Sequence, residues 1–259
     1  MLRTLLSRFR QGYRTNAYPG QNVVLPGVFR GRPVIDKSCG PEIRQRCAEA
    51  CPQDAIRAGE GLLDLGRCVF CGMCERVGNG QFIRFTSRFD LAVADPAALL
   101  TDGSIPDLAA QSGAGFRRLF GRSLQLRQVS AGGCNACEAD VNVLNTPVFD
   151  LARFGIGFTA SPRHADGLLV TGPVTRNMRA ALMATYEAVP APKVVIALGS
   201  CAISGGPFDG SGETSKVSDH LPVDLFIPGC PPHPMTTLHA LLAFFTGKTP
   251  PPEIKPGLY

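Results

Sequence analysis

The chain has no tryptophan and only four tyrosines in 259 residues. Few Trp or Tyr rings are therefore available for base stacking, and no block of Lys or Arg resembles a nucleic-acid-binding arm. With a net charge of just +5, nucleic acid is not an expected partner. Long apolar runs are also missing, and no stretch is long enough to span a bilayer. The opening MLRTLLSRFRQGYR breaks its apolar residues with arginines and has neither an A-x-A cleavage site nor a twin-arginine pair. A secretory signal is not expected there, and the expected compartment is the reducing cytoplasm. In that setting, clustered cysteines bind metal or do redox chemistry more often than they form disulfides.

Cysteine, glycine and proline are what the chain has in quantity: 10, 29 and 22 residues respectively. Hydrophobic residues make up 44%, enough for a buried core. Six cysteines fall between Cys39 and Cys74, and the others are Cys134, Cys137, Cys201 and Cys230. Each set contains four that could close around one metal cluster. Two such groups in one chain suggest a path for electrons.

The amino terminus has a helical rhythm, with Leu2, Leu5, Leu6 and Phe9 on one face and Arg3, Arg8, Arg10 and Arg14 around it. A helix on an anionic membrane surface and a helix packed on a neighbouring subunit both fit. The shortness of the segment favours the second. Four spans are expected: an amphipathic or extended segment over 1–30, a small metal-binding domain over 31–95, a linker over 96–120 and an α/β domain over 121–259. Within the first domain, QFIRFTSRFDLAVA reads as strand-like. The linker, rich in Asp, Gly, Pro, Ser and Ala, is expected to hold one helical turn, and FRRLFGR reads as a short basic helix entering the last domain.

The pattern then becomes α/β. Strands are expected at 124–130, 166–171, 193–199 and 223–229, separated by helical segments, with a last helix at TLHALLAFFTG. Such alternation implies a parallel sheet covered on both faces. Cys134 and Cys137 follow the first of these strands, Cys201 the third and Cys230 the fourth. Ligands of open α/β sheets bind beyond the carboxyl ends of the strands, so three loops can bring four thiols together there. Four thiolates suit Zn²⁺ or an iron–sulfur cluster. Zinc sites usually pair two C-x-x-C knuckles, whereas Cys201 and Cys230 stand alone in the glycine- and proline-rich loops GSCAISGG and PGCPP. That arrangement favours a cluster, because glycines let backbone N–H groups approach its sulfides.

Cys68, Cys71 and Cys74 have the C-x2-C-x2-C spacing of bacterial ferredoxins, but Gly78 stands where a fourth cysteine is expected. The upstream half reads C-x7-C-x3-C-P and ends at Cys51 and Pro52. In that pattern the fourth cysteine of each half ligates the other cluster, so Cys51 completes the site begun by Cys68, Cys71 and Cys74. Cys39 and Cys47 remain, and two thiols cannot hold a second cubane. They are expected as spare thiols, buried like small apolar residues. Asp36 or Glu49 is a less favoured substitute ligand.

The motifs GGCNACE, SPRHADGLLVTGPVTRNMR, GSCAISGG and IPGCPP, in this order across roughly residues 124–245, resemble the small subunit of group 4 [NiFe] hydrogenases. That group includes formate hydrogenlyase and the energy-converting enzymes, and a complex I subunit is homologous to it. The segments AYP, FRGRP, ACPQDAI and GRCVFCGMCE, across roughly 15–95, resemble the two-cluster ferredoxin subunit of the same complexes. The chain thus resembles a fusion of two subunits. The implied fold is a flavodoxin-like parallel-sheet domain preceded by a small ferredoxin-like iron–sulfur domain.

The resemblance implies two 4Fe-4S clusters: a proximal one on Cys134, Cys137, Cys201 and Cys230, and a ferredoxin-type one on Cys51, Cys68, Cys71 and Cys74. It implies as partners a large subunit carrying nickel and iron, membrane subunits, and an external electron carrier or electron-transfer subunit. It places the chain on the inner face of the cell membrane within a complex. The complex I subunit has adjacent cysteines in its first motif, whereas Asn135 and Ala136 separate Cys134 from Cys137 here, which favours the hydrogenase branch over a complex I-like quinone oxidoreductase. A glutamate at the position of Glu138 lies near the proton route in hydrogenase small subunits. An acid in the first turn of a helix, stabilised by its dipole, explains the same residue without that role. Arg163 and His164 fall in a loop that the resemblance places near the large subunit. His220, His233 and His239 carry no assigned role.

Overall fold

The computed structural model describes residues 2–19, 23, 25–111 and 123–248. The FRRLFGR segment lies outside the described residues. Helix α1 (Leu2–Gln11) stands at the amino end with Leu2, Leu5, Leu6 and Phe9 all exposed. The residues after it lie along the carboxy-terminal half. Asn16 N–H donates to the Val148 carbonyl, the Arg153 guanidinium reaches the Asn16 and Tyr18 carbonyls, and buried Tyr18 meets Phe89 edge-on.

The cysteine-rich region folds as two β-α-β halves. The first is β1 (Pro33–Ile35), α2 (Pro41–Glu49) and β2 (Ile56–Arg57). The second is β3 (Leu62–Asp64), α3 (Met73–Val77) and β4 (Ile83–Phe85). β1 pairs antiparallel with β4, and β2 with β3, so each half lends a strand to the other's sheet. The strands are short because β-branched and aromatic runs there last just a few residues. Past β4, the segment expected as a linker is tied in. Pro96–Leu99 forms a 3-10 turn capped by Asp95, β5 (Leu100–Thr101) adds a third strand beside β3, and α4 (Leu108–Gln111) supplies a helical turn with buried Leu108 and Ala109.

The carboxy-terminal half is a five-stranded parallel sheet made of β6 (Leu124–Ser130), β7 (Ile156–Phe158), β8 (Gly167–Thr171), β10 (Val194–Leu198) and β12 (Leu225–Ile227). Its order is β12-β10-β8-β6-β7. Taken in chain order, that is the 2-1-3-4-5 arrangement of flavodoxin-like folds. β8 and β10 are buried at every residue, as expected of central parallel strands. β9 (Val174–Thr175) and β11 (Thr214–Ser215) form a small antiparallel pair beside the sheet. Helices α5 (Ala136–Val143), α6 (Arg176–Ala188), α7 (Ser200–Ser204) and α8 (Pro234–Thr246) follow strands of the main sheet or of that pair. In α8 every residue from Pro234 to Phe245 is buried.

The two halves share a core. Leu63, Leu65, Phe82 and Ile83 belong to the same apolar cluster as Leu168, Val170, Val195 and Phe226. Val93 and Phe226 exchange backbone hydrogen bonds of 3.0 and 2.9 Å, which extends the edge of the parallel sheet.

Candidate metal centres at the junction of the two halves

Cys134 lies in the turn from β6 into α5, Cys137 in the first turn of α5, Cys201 in the first turn of α7 just beyond β10, and Cys230 in the loop beyond β12. Three strand ends thus bring the four together. Burial raises the Cys137 thiol far above its ordinary range, with Glu138 and the thiolates of Cys201, Cys230 and Cys134 adding to it. Cys201 is pushed up to about 11, again by burial first and then by Cys230 and Cys134. Cys134 and Cys230 are exposed. Two glycines make room for the sulfurs. Gly199, at φ +91°, would place a β carbon 2.7 Å from the Cys137 sulfur, and Gly206, at φ +54°, would place one 2.9 Å from that of Cys201. Any side chain there would be strained and would fill the space beside a thiol.

The second quartet forms around α3. Cys68 and Cys74 are buried, Cys51 is half-buried and Cys71 is exposed. Burial pushes Cys74 up to about 12, with contributions from Cys47, Cys51 and Cys71. Cys68 is raised likewise by burial, with Cys74, Cys51 and Cys71 around it. The Ala55 and Phe70 amides donate to the sulfurs of Cys51 and Cys68, both at 3.4 Å. N–H···S bonds of this kind stabilise a thiolate ligand and tune a bound cluster. The donor set and its glycine cradle therefore fit iron–sulfur clusters.

Cys39 and Cys47 lie near each other, and Cys47 adjoins Cys74. Cys47 is fully buried, with its thiol 3.4 Å from the Cys74 carbonyl, while Cys39 is half-buried. The Asp36 carboxylate accepts from Ser38 and that of Glu49 from Gln45, so both are engaged locally. Among the described residues, no group of three or more His, Cys, Asp or Glu side chains closes on a single metal ion.

The two quartets meet through contacts that carry no sequence motif. The Ser200 hydroxyl, on the residue before Cys201, donates to the Cys68 carbonyl at 2.7 Å. Ser204 reaches the Gly66 carbonyl at 2.9 Å, and Arg67 pairs with Asp209 at 2.8 Å. Beside this seam lies a cavity of about 290 Å³, bordered by Phe70 of one quartet's loop and Cys230 of the other's, with Arg30, Asp140 and His233.

Glu138 is buried in the first turn of α5 and accepts hydrogen bonds from Ser130 at 2.6 Å and Thr171 at 2.7 Å. Burial works to raise its carboxyl, and the two hydroxyls outweigh burial and hold it below the ordinary carboxylate range. It also borders an open cleft with Arg127, Asn142 and Thr159. His233 caps α8, with Nδ1 accepting from the Met235 amide, His220 meets Ser215 at 2.7 Å, and His239 lies edge-on to Phe89. Arg163 and His164 are exposed on a 3-10 turn.

The carboxy-terminal half is thus an α/β domain of flavodoxin-like order with four cysteines at the carboxyl edge of its sheet. The profile of NADH ubiquinone oxidoreductase, 20 Kd subunit, matches residues 134–244, a span that contains Cys134, Cys137, Cys201 and Cys230. The probable membrane-bound hydrogenase subunit mbhJ of Pyrococcus furiosus is 42% identical over 144 residues, covering 52% of this chain and 86% of that protein. Formate hydrogenlyase subunit 7 of Escherichia coli is 42% identical over 148 residues, covering 56% of this chain, and the match spans 55% of that relative's length. An NADH-quinone oxidoreductase subunit of Citrifermentans bemidjiense is 44% identical over 110 residues, 42% of this chain and 65% of that protein. The chain belongs to this family of hydrogenase and NADH-quinone oxidoreductase subunits, and it is an oxidoreductase subunit. The expected kinship with group 4 hydrogenase small subunits and their complex I counterpart is found. Among the described residues, no helix is long and apolar enough to cross a membrane.

Proposed function

We propose that this chain is the electron-transfer small subunit of a group 4-type [NiFe] hydrogenase. It would hold a proximal [4Fe–4S] cluster on Cys134, Cys137, Cys201 and Cys230 and a ferredoxin-type [4Fe–4S] cluster on Cys51, Cys68, Cys71 and Cys74. The observation that carries the reading is the junction of the two quartets, where the residue before Cys201 is hydrogen-bonded to Cys68 itself. When bound, each cluster supplies a one-electron redox centre. The chain's own residues hold the thiolates, exclude water from Cys68 and Cys74, and set the spacing of the two sites.

The placement of Cys201 and Cys230, each alone in a glycine- or proline-rich loop instead of in a second C-x-x-C knuckle, supports clusters over zinc. The β-α-β halves with exchanged strands support the ferredoxin-like reading of residues 31–95. The exposure of Cys134 and Cys230 suits a face for a large subunit carrying nickel and iron. The bare apolar side of α1 suits attachment to membrane subunits or to the cytoplasmic membrane face. An external carrier would exchange electrons at the Cys71 side.

A complex I-like quinone oxidoreductase is the second reading, favoured by the 44% identity to the Citrifermentans bemidjiense protein. The spacing of Cys134 and Cys137 stands against it. Purification of the native complex with metal analysis and hydrogen-uptake assay decides between them. Nickel with hydrogen-dependent reduction of the clusters supports the proposal, and iron without nickel selects the second reading.

A further inference from the structure

We infer that the Ser200 hydroxyl couples the two cluster sites, fixing their separation and providing a bonded route for the electron that passes between them. This rests on the two-cluster reading above. Ser200 is 1% exposed and touches three ligand segments at once. Its hydroxyl donates to the carbonyl of Cys68, with the Gly229 carbonyl as a second acceptor at 3.2 Å. Its amide donates to that same Gly229 carbonyl at 2.9 Å. Gly229 precedes Cys230, and Ser200 precedes Cys201. One residue thus joins the backbone of a ferredoxin-type ligand to the segments that carry two proximal ligands.

Nothing local requires a hydroxyl at this position. α7 is a five-residue helix whose first turn would form equally well with alanine. Fold alone would be served by apolar packing, as it is elsewhere in the shared core. A buried hydroxyl gives direction as well as adhesion, because a carbonyl at 2.7 Å has little freedom to slide. The neighbouring clamps, Ser204 to Gly66 and Arg67 to Asp209, hold residues that are not ligands. Beyond Ser200 the Phe70 and Cys230 loops diverge around the cavity, so packing does not bridge them there.

With both clusters bound, one electron would pass between them, one being oxidised as the other is reduced, in either direction; no bond would be made or broken, and the hydroxyl proton would stay on Ser200.

The test uses the complete complex carrying the natural chain, Ser200→Ala, Ser200→Thr or Ser204→Ala. Iron and sulfide are assayed, the spin–spin interaction of the dithionite-reduced clusters is read by EPR, and transfer between the clusters is followed by rapid freeze-quench. S200A should keep its iron and the separate signal of each cluster while losing interaction strength and transferring electrons several-fold more slowly. S200T, which retains the hydroxyl, and S204A should behave as the natural chain does. Natural interaction and transfer in S200A, or an equal loss in S204A, overturns the inference and leaves the two-cluster reading intact. If S200A loses its iron, S200T decides: full iron with weakened interaction contradicts a role for the hydroxyl, and natural interaction supports it. A natural complex with the iron of a single cluster overturns the two-cluster reading and this inference with it.

Discussion

Cys47 occupies the space that a side chain at Gly78 would need: a β carbon built on Gly78 would lie 2.7 Å from the Cys47 sulfur. Position 78 is where the ferredoxin pattern places its last cysteine. Here the thiol of an upstream cysteine has filled that corner and is fully buried in it. Gly78→Ala should cost about 1–3 kcal/mol through overpacking. Cys47→Ala in the same chain should recover most of that loss, a non-additivity expected of two residues sharing one space. Denaturant midpoints of the four chains measure it, and strict additivity would contradict the contact.

With that corner filled, two clusters are expected instead of three. Cys39→Ser should leave iron content unchanged, because Cys39 belongs to neither quartet. Cys74→Ser should remove about four irons per chain, the content of one cubane. Gly78→Cys should add none, since its sulfur would have to displace Cys47. Iron gained by Gly78→Cys would mean that the third site is intact and merely lacks a ligand.

Much of this architecture is legible in the sequence because central parallel strands are continuous apolar runs. DGLLVT and KVVIALG announce β8 and β10, and the cysteines at their neighbours' ends announce the site. β7 has no such signal: it is three residues long, Ile156–Phe158, with a glycine in the middle. The segment from Pro96 to Gln111 reads as a linker because its composition is that of loops. It is nevertheless held by strand pairing of β5 and burial of Leu108, which depend on residues distant in sequence. Ser200 cannot be singled out from the sequence. A serine before a cysteine has no signature, and its importance lies in where Cys68 arrives, 132 residues away in the chain.

Glu138 allows its two readings to be separated. Glu138→Gln keeps the size and hydrogen-bonding capacity at Ser130 and Thr171 but removes the charge. If it carries protons in a hydrogenase complex, its loss should slow H/D exchange by the assembled complex about 10²-fold, with iron content unchanged. If it serves just the first turn of α5, exchange should be unaffected and stability should fall by about 0.3–1 kcal/mol.

Asp90 supplies the expected acid sensitivity. Burial would raise its carboxyl, but hydrogen bonds and charge from Arg88 at 2.6 Å and Arg32 at 2.8 Å hold it below the ordinary range. Between its folded and unfolded values the unfolded chain binds more protons, so stability rises with pH there. Its contribution is complete above the unfolded value of about 3.9 and is lost as pH falls through the lower, folded one. Asp90→Asn should cost about 1.5–3 kcal/mol at neutral pH and flatten the acid limb of the stability profile. An unchanged acid limb in urea titrations would show that the two arginines leave its proton affinity as it is in the unfolded chain.

The most direct measurement of the central claim is the iron, sulfide, zinc and nickel content of the purified complex, taken with EPR of the hydrogen-reduced sample. About eight irons with matching sulfide are expected for this chain, with two interacting cluster signals and nickel in the partner subunit. Zinc without sulfide, or a chain whose reduction yields a single isolated cluster signal, would contradict it.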